Sequence, residues 1–153
     1  MAFDDLQVVE RVLKVRQAEE SLLAFTEITM PDIKDPGDPR KSAYTVAAHH
    51  RFMARIYEEV EAGLRPYTIL NAPPAHGKSE LGTRRFAAWF VGRNPRKNVI
   101  VGTYGEDKAK DFRDEIIAII DSDEFRQVFP DCWITVKAKD TITLSTGGRI
   151  WVV

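Results

Sequence analysis

The stretch that most constrains this chain is Ala72-Pro73-Pro74-Ala75-His76-Gly77-Lys78-Ser79. A short β-prone run, Tyr67–Asn71, precedes it, and a helical pattern from Lys78 to Val91 follows it. A strand, a tight loop ending in Gly-Lys-Ser and a helix together match the phosphate-binding pattern G-x-x-x-x-G-K-[ST]. Ala72 takes the place of the first glycine, so the stretch is a variant of that pattern.

This arrangement predicts a Mg-ATP site. Gly77 lets the backbone turn closely beneath phosphate oxygens, because a side chain there would block the approach. The amides from His76 to Ser79 would form an anion nest at the start of the helix. Lys78 is predicted to reach the β- and γ-phosphates as the catalytic cation, and the Ser79 hydroxyl to ligate Mg²⁺.

A plain strand–loop–helix crossover is the alternative explanation of the same residues. In that case Ser79 or Asn71 only caps a helix, and no anion binds. Pro73 and Pro74 favour nucleotide binding, because a rigid loop lowers the entropy cost of holding several amides around an anion.

The order of the elements predicts an α/β fold with a parallel sheet flanked by helices. Val99–Thr103 is a second β-prone run, and residues 106–120 carry a stripe of alanine, phenylalanine and isoleucine at helical spacing. Late in the chain, Gly147-Gly148 can turn Thr141–Ser145 back onto Arg149–Val153 as a β-hairpin.

Two domains are predicted. Residues 1–43 form a helical segment followed by a linker, since residues 31–39 hold three prolines and a glycine. Residues 44–153, which begin with a predicted helix from about His49 to Ala62, form the first part of the nucleotide-binding domain.

Composition limits the class of partner and the compartment. The 22 basic and 23 acidic residues leave a net charge of −1, which argues against a globally basic nucleic-acid binder. The basic stretch Arg84, Arg85, Arg93, Arg96 and Lys97 is either a solvated helix face or a contact to DNA phosphates.

Several features point to a cytoplasmic protein. Cys132 is the only cysteine, so it is expected to be a small buried side chain in a reducing compartment. No apolar run approaches the roughly 20 residues of a membrane span. Residues 1–13 carry acids where a secretion signal carries bases.

Several segments in a fixed order, from about residue 19 to the end, carry a family resemblance. They are Ala18–Phe25 with Thr29-Met30-Pro31, His49-His50 with the helix to Gly63, Asn71–Glu80, Gly102–Gly105 with Ala109, Asp121-Ser122 through Phe129-Pro130, and Thr146-Gly147-Gly148. Together they resemble the ATPase domain of the large subunit of tailed-phage terminases, the motor that packages viral DNA. Pro73–Glu80 resembles that family's "PPxHGKSE" form of Walker A, in which the first glycine is commonly replaced.

The resemblance implies a P-loop NTPase fold of the RecA/ASCE type, with ATP and Mg²⁺ as cofactors. It implies an ATPase that drives DNA into the procapsid in the host cytoplasm. The implied partners are double-stranded viral DNA, the terminase small subunit, the portal protein and further copies in a homo-oligomeric ring, with no membrane. Ala72–Glu80 match the nucleotide-binding loop, with Lys78 as the phosphate-binding lysine and Ser79 as the Mg²⁺ ligand.

The three histidines could bind a metal ion or contact the nucleotide, and the sequence argues against the metal ion. The adjacent His49 and His50 do not present the i, i+4 spacing of a metal pair, and no cysteine lies near them. His76 belongs to the loop. By the resemblance, His50 or His49 is expected to contact adenine, because the segment precedes the predicted P-loop strand.

Two departures from the family pattern affect the expected activity. Many relatives have arginine where this chain has Ala75, so a catalytic arginine is absent at that position. The family's Walker B strand, which ends in an acidic pair, is expected after the Gly147-Gly148 turn, and neither Asp131 nor Asp140 fits it. We therefore expect a fragment truncated before Walker B and lacking the nuclease domain, which binds nucleotide with little turnover. The alternatives are another P-loop DNA motor of the helicase type and a non-catalytic nucleotide-binding remnant.

Overall fold

The structure is a computed structural model that describes the backbone of residues 2–153 and the side chains from residue 5 onward. The chain packs as two compact units, the first ending at Asn71 and the second comprising Ala72–Val153. The domain division predicted from the sequence, 1–43 and 44–153, stays a prediction, because a packing unit and a functional domain need not share a boundary.

The first unit contains three helices, which are α1 (Ala2–Glu20), α2 (Leu22–Ile28) and α3 (Ala48–Glu61). Ser21 separates the first two and caps α2 by accepting a hydrogen bond from the Ala24 amide at 3.4 Å. The Leu22 amide donates to a Glu58 carboxylate oxygen at 2.8 Å, which joins α2 to α3. Leu22 and Phe25 are fully buried and form the core of this unit.

The proline-rich segment between α2 and α3 is irregular, as the sequence predicts. Asp38 organises it, because its carboxylate accepts from the Arg40 amide at 3.0 Å and from two guanidinium nitrogens of Arg40 at 2.9 and 3.0 Å. Lys41 lies 3.4 Å from the same carboxylate. This segment is therefore held by charge-assisted hydrogen bonds rather than by regular structure.

The second unit alternates helices and strands. Its elements are a π-helix (Ser79–Arg85), α4 (Phe86–Arg93), β1 (Asn98–Val101), α5 (Glu106–Asp121), α6 (Asp123–Val128), β2 (Ile134–Lys137), β3 (Thr141–Leu144) and β4 (Arg149–Val152). The α/β class predicted from the sequence is confirmed.

The strands form one mixed sheet in the order β1-β4-β3-β2. Only β1 and β4 are parallel, with Val101 opposite Val152, and the other two pairs are antiparallel. The predicted hairpin is present, but the sheet is mixed, whereas the sequence predicts a parallel sheet to which the hairpin is only a late addition. It forms the middle of the sheet, because β4 satisfies its backbone groups on β3 on one side and on β1 on the other.

The core of the second unit lies between the sheet and the helices. The predicted stripe on α5 is buried, with Ile116 and Ile120 fully so, and Ile142 and Ile150 of the hairpin are also fully buried. Each such side chain contributes about 1.5–3 kcal/mol of burial free energy. Trp89 is buried as well, and so is Cys132, as predicted from the sequence.

One predicted strand is wrong. The run Tyr67–Asn71 is irregular, and the side chains of Tyr67 and Ile69 are 95% and 90% exposed. A strand is stable only when a neighbour receives its backbone hydrogen bonds, and no strand within residues 2–153 pairs with this run.

None of the helices described within residues 2–153 has the length and apolar character that a membrane span requires.

Candidate functional site

The loop 72–80 (Ala72–Glu80) contains two residues with left-handed backbone conformations. Ala75 has a φ of 60° and Gly77 a φ of 75°. Glycine adopts this region without strain, whereas alanine there costs about 1–2 kcal/mol. Alternation of left- and right-handed residues is what turns successive amides into an anion-binding concavity. Ala75 and Gly77 thus have backbone conformations of the kind that anion-binding loops contain.

Lys78 closes this loop. Its Nζ donates to the backbone carbonyl oxygen of Ala72 at 2.9 Å, across six residues of chain. Near the tip of the loop, the Nδ1 atom of His76 lies 2.8 Å from the carbonyl oxygen of Pro74. The ammonium group is thus held over the loop by a neutral acceptor, which an anionic ligand could replace as the stronger partner.

The helix after the loop begins as a π-helix, Ser79–Arg85, rather than as the α-helix that the sequence predicts. The Phe86 amide donates to the Leu81 carbonyl, which is the i to i+5 spacing of a π-helix. Such segments are rare and often occur at functional sites. Here the wide turn brings two consecutive arginines within reach of one glutamate.

That glutamate is Glu80. Its carboxylate oxygens accept from the Arg84 Nη1 at 3.0 Å and from the Arg85 Nε at 2.7 Å. Arg84 also binds Glu115 of α5 through Nε and through Nη2, the latter at 3.0 Å. Its guanidinium lies 5.2 Å from the centre of the Phe112 ring.

Charge is compensated within this cluster of Glu80, Arg84, Arg85 and Glu115. Burial opposes the charge on Arg84, but the carboxylates of Glu115 and Glu80 outweigh that effect and raise the pKa of the guanidinium. The side chains of Arg84 and Arg85 are only 17% and 11% exposed, so neither belongs to a solvated basic face.

A cavity of about 230 Å³ opens at the loop and is lined by residues 75–80 and Arg84. Pockets for whole small molecules usually measure about 300–1,000 Å³, so this cavity is smaller than such a pocket. A larger cavity of about 590 Å³ lies where β1 and β4 meet the start of α5, and it includes Lys110, Arg113 and Lys139. The two cavities share no residue.

The structure therefore brings together most of the predicted site. Residues 75–80 line one cavity, Ala72 joins it through Lys78, and Pro73 and Pro74 are exposed beside it. Their roles as nucleotide and Mg²⁺ ligands stay predictions. No group of three or more metal-ligating side chains occurs among the described His, Cys, Asp and Glu residues.

His50 belongs to the first unit. Its Nδ1 accepts from the Ala47 amide at 3.1 Å, which caps the start of α3, and its ring packs against His49 with centroids 4.0 Å apart. Tyr44 lies on the same ring, at 5.1 Å. The adenine contact predicted for His50 stays a prediction.

The cluster around Glu80 was not predicted from the sequence. The spacing of Glu80 to Arg84 is that of a helical ion pair and could have indicated the first contact. Nothing in the local sequence indicates Glu115, which lies 31 residues from Arg84 and meets it only through packing of α5.

Most of the second unit matches a known protein family. The model of the T4-like terminase large subunit N-terminal family matches residues 69–150, which is more than half of the chain. The chain belongs to this family. Membership in this family gives the chain a role in phage DNA packaging. Among curated proteins, no match to the chain was found.

Proposed function

We propose that the chain binds Mg-ATP through the loop 72–80 and is the ATP-binding part of a viral DNA-packaging motor. In this proposal the loop amides and Lys78 hold the β- and γ-phosphates, and Ser79 ligates the cation. Mg²⁺ would neutralise phosphate charge at this position. The nucleoside would lie outside the small cavity.

One observation carries the proposal, namely the hydrogen bond from Lys78 to the Ala72 carbonyl across a loop with two left-handed residues. This bond holds the Lys78 side chain at the loop, so the ammonium group would need little further ordering when an anion binds. A preformed loop reduces the entropy lost on binding.

Binding rather than turnover is proposed for the residues described. Hydrolysis needs a carboxylate that orients water. Within the described part of the chain, Glu80 is the one carboxylate that lines the cavity, and two arginines hold it. Coupling of hydrolysis to DNA translocation would belong to the whole motor, acting in the host cytoplasm with double-stranded viral DNA, the terminase small subunit, the portal protein and further copies in a ring.

The test is a titration of the 153-residue chain with Mg-ATP by calorimetry. Lys78→Ala should remove measurable binding, because it deletes the one side-chain cation that the sequence pattern assigns to the phosphates. Circular dichroism would establish that the variant keeps its fold. Unchanged affinity would sink the assignment.

Lys139→Ala is the matched control, since it removes the same charge from the larger cavity. We expect this variant to bind Mg-ATP like the wild type. If instead Lys139→Ala lost binding and Lys78→Ala did not, the nucleotide would belong to the larger cavity.

Two alternatives remain distinguishable. A helicase-type motor is disfavoured by the family match to residues 69–150. A non-catalytic remnant would bind Mg-ATP without turnover even when joined to a downstream segment bearing an acidic strand end, whereas the packaging motor would then hydrolyse it.

A further inference from the structure

The carboxylate of Glu80 poses an electrostatic problem for an anion site. Glu80 lines the same cavity as Lys78 and Ser79, where the phosphates are proposed to bind. A free carboxylate there would repel phosphate oxygens and would compete with them for the Lys78 ammonium. The effect is sizeable because the Glu80 side chain is only 25% exposed, and partly buried charges are weakly screened.

Two arginines of the π-helix neutralise the charge of this carboxylate. Arg84 and Arg85, four and five residues after Glu80, each take one of its carboxylate oxygens, at 3.0 and 2.7 Å. Arg84 is itself fixed from α5 by its two contacts to Glu115. The negative charge of Glu80 is therefore matched and its oxygens are occupied.

We propose that Arg84 is a positioning residue of the nucleotide site, which neutralises Glu80 and keeps its carboxylate from pairing with Lys78 or repelling the phosphates. This inference rests on the proposed function. It assigns Arg84 no contact with the nucleotide, so its whole effect passes through Glu80. That feature makes it separable from a direct phosphate contact and from a purely structural role.

The experiment compares Mg-ATP dissociation constants of four forms of the 153-residue chain, which are wild type, Arg84→Gln, Arg84→Gln with Glu80→Gln, and Arg84→Gln with Glu115→Gln. Arg84→Gln should weaken binding about tenfold, the scale of one partly screened like charge near the ligand. Adding Glu80→Gln should restore most of the affinity, because it removes the charge that Arg84 had matched.

The Glu115 double variant is the matched control. Both double variants have the same net charge, but only one of them removes the carboxylate that lines the cavity. We expect Arg84→Gln with Glu115→Gln to stay about tenfold weakened. If both double variants regained the affinity for Mg-ATP, the effect of Arg84→Gln would be one of net charge alone, and the inference would be overturned. Rescue by neither would overturn it too, in favour of direct nucleotide contact or a structural role.

A single variant covers the case in which Arg84→Gln does not fold. Glu80→Gln alone should bind Mg-ATP roughly threefold more tightly than wild type, because Arg84 and Arg85 then keep one unmatched positive charge beside the cavity. Weaker binding would overturn the inference. Lack of Mg-ATP binding by the folded wild type would overturn the proposed function, whereas binding by the wild type and equally by Arg84→Gln would overturn only this inference.

Discussion

Gly92 of α4 lies so close to the ring of Phe129 that a Cβ atom built on it would come within 2.6 Å of the ring carbons Cε2 and Cγ, and closer still to Cδ2. Real Cβ contacts do not reach these distances. The glycine therefore lets α4 approach the segment after α6, and it ends the hydrophobic run that contains Trp89 and Val91.

We predict that Gly92→Ala lowers the free energy of unfolding by about 1–3 kcal/mol through overpacking. Helix propensity alone would change it in the other direction, because alanine is favoured over glycine by about 1 kcal/mol within a helix. Urea denaturation would measure the change. Gly102→Ala is the control, since nothing lies within 4 Å of its Cβ position. A stabilised Gly92→Ala variant would contradict the close contact.

The loop 72–80 yields a paired prediction from its two left-handed residues. Gly77→Ala should destabilise the chain by about 1–2 kcal/mol, because alanine is strained at a φ of 75°. Ala75→Gly should be neutral or stabilising by up to about 1 kcal/mol, since relief of strain exceeds the added flexibility of the unfolded chain. Chemical denaturation of both variants tests this. A loss of stability in Ala75→Gly as large as that in Gly77→Ala would refute it.

Asp38 yields a prediction about pH in the first unit. Its hydrogen bonds with the Arg40 guanidinium and amide hold the pKa of the carboxyl well below its usual value, and Lys41 adds to this. A carboxyl with a lowered folded-state pKa stabilises the fold above its unfolded pKa of about 3.9, and this contribution is lost as the pH falls towards the folded value.

Asp38→Asn should therefore be less stable than the wild type at pH 7, and the difference should shrink below about pH 4. Thermal unfolding across this range would measure it. Asp131→Asn, at an exposed aspartate of the second unit, removes the same formal charge and serves as the control for net charge. A difference that persisted unchanged at pH 3 would argue against the role of Asp38 ionisation.

Sequence patterns of a few residues correctly predicted the elements that are stabilised by contacts between residues close in the chain. The isoleucine stripe of α5 and the Gly147-Gly148 turn are each encoded within a few residues, and both are present. The run Tyr67–Asn71 was predicted from the same kind of signal and was wrong, because β-propensity requires a neighbouring strand to act. Periodicity cannot supply that neighbour.

The candidate site also has a part that short sequence patterns predict and a part that depends on tertiary packing. Residues 75–80 were predicted because a phosphate-binding loop is a contiguous pattern. The π-helical turn could not be predicted, since it differs from an α-helix only in which carbonyl each amide chooses. Glu115 was beyond local analysis because its contact with Arg84 depends on how α5 packs.

The parallel pairing of β1 with β4 has a consequence for the order of folding. The hairpin of β3 and β4 closes through a short turn, whereas Asn98 and Arg149 meet across 51 residues. Long-range closure is slower than local closure, because more chain entropy is lost before contacts form. We expect the amides of β3 to gain protection from hydrogen exchange before those of β1 during refolding. The pairing of the edge strand β1 with β4 would then be a late event in the assembly of the sheet.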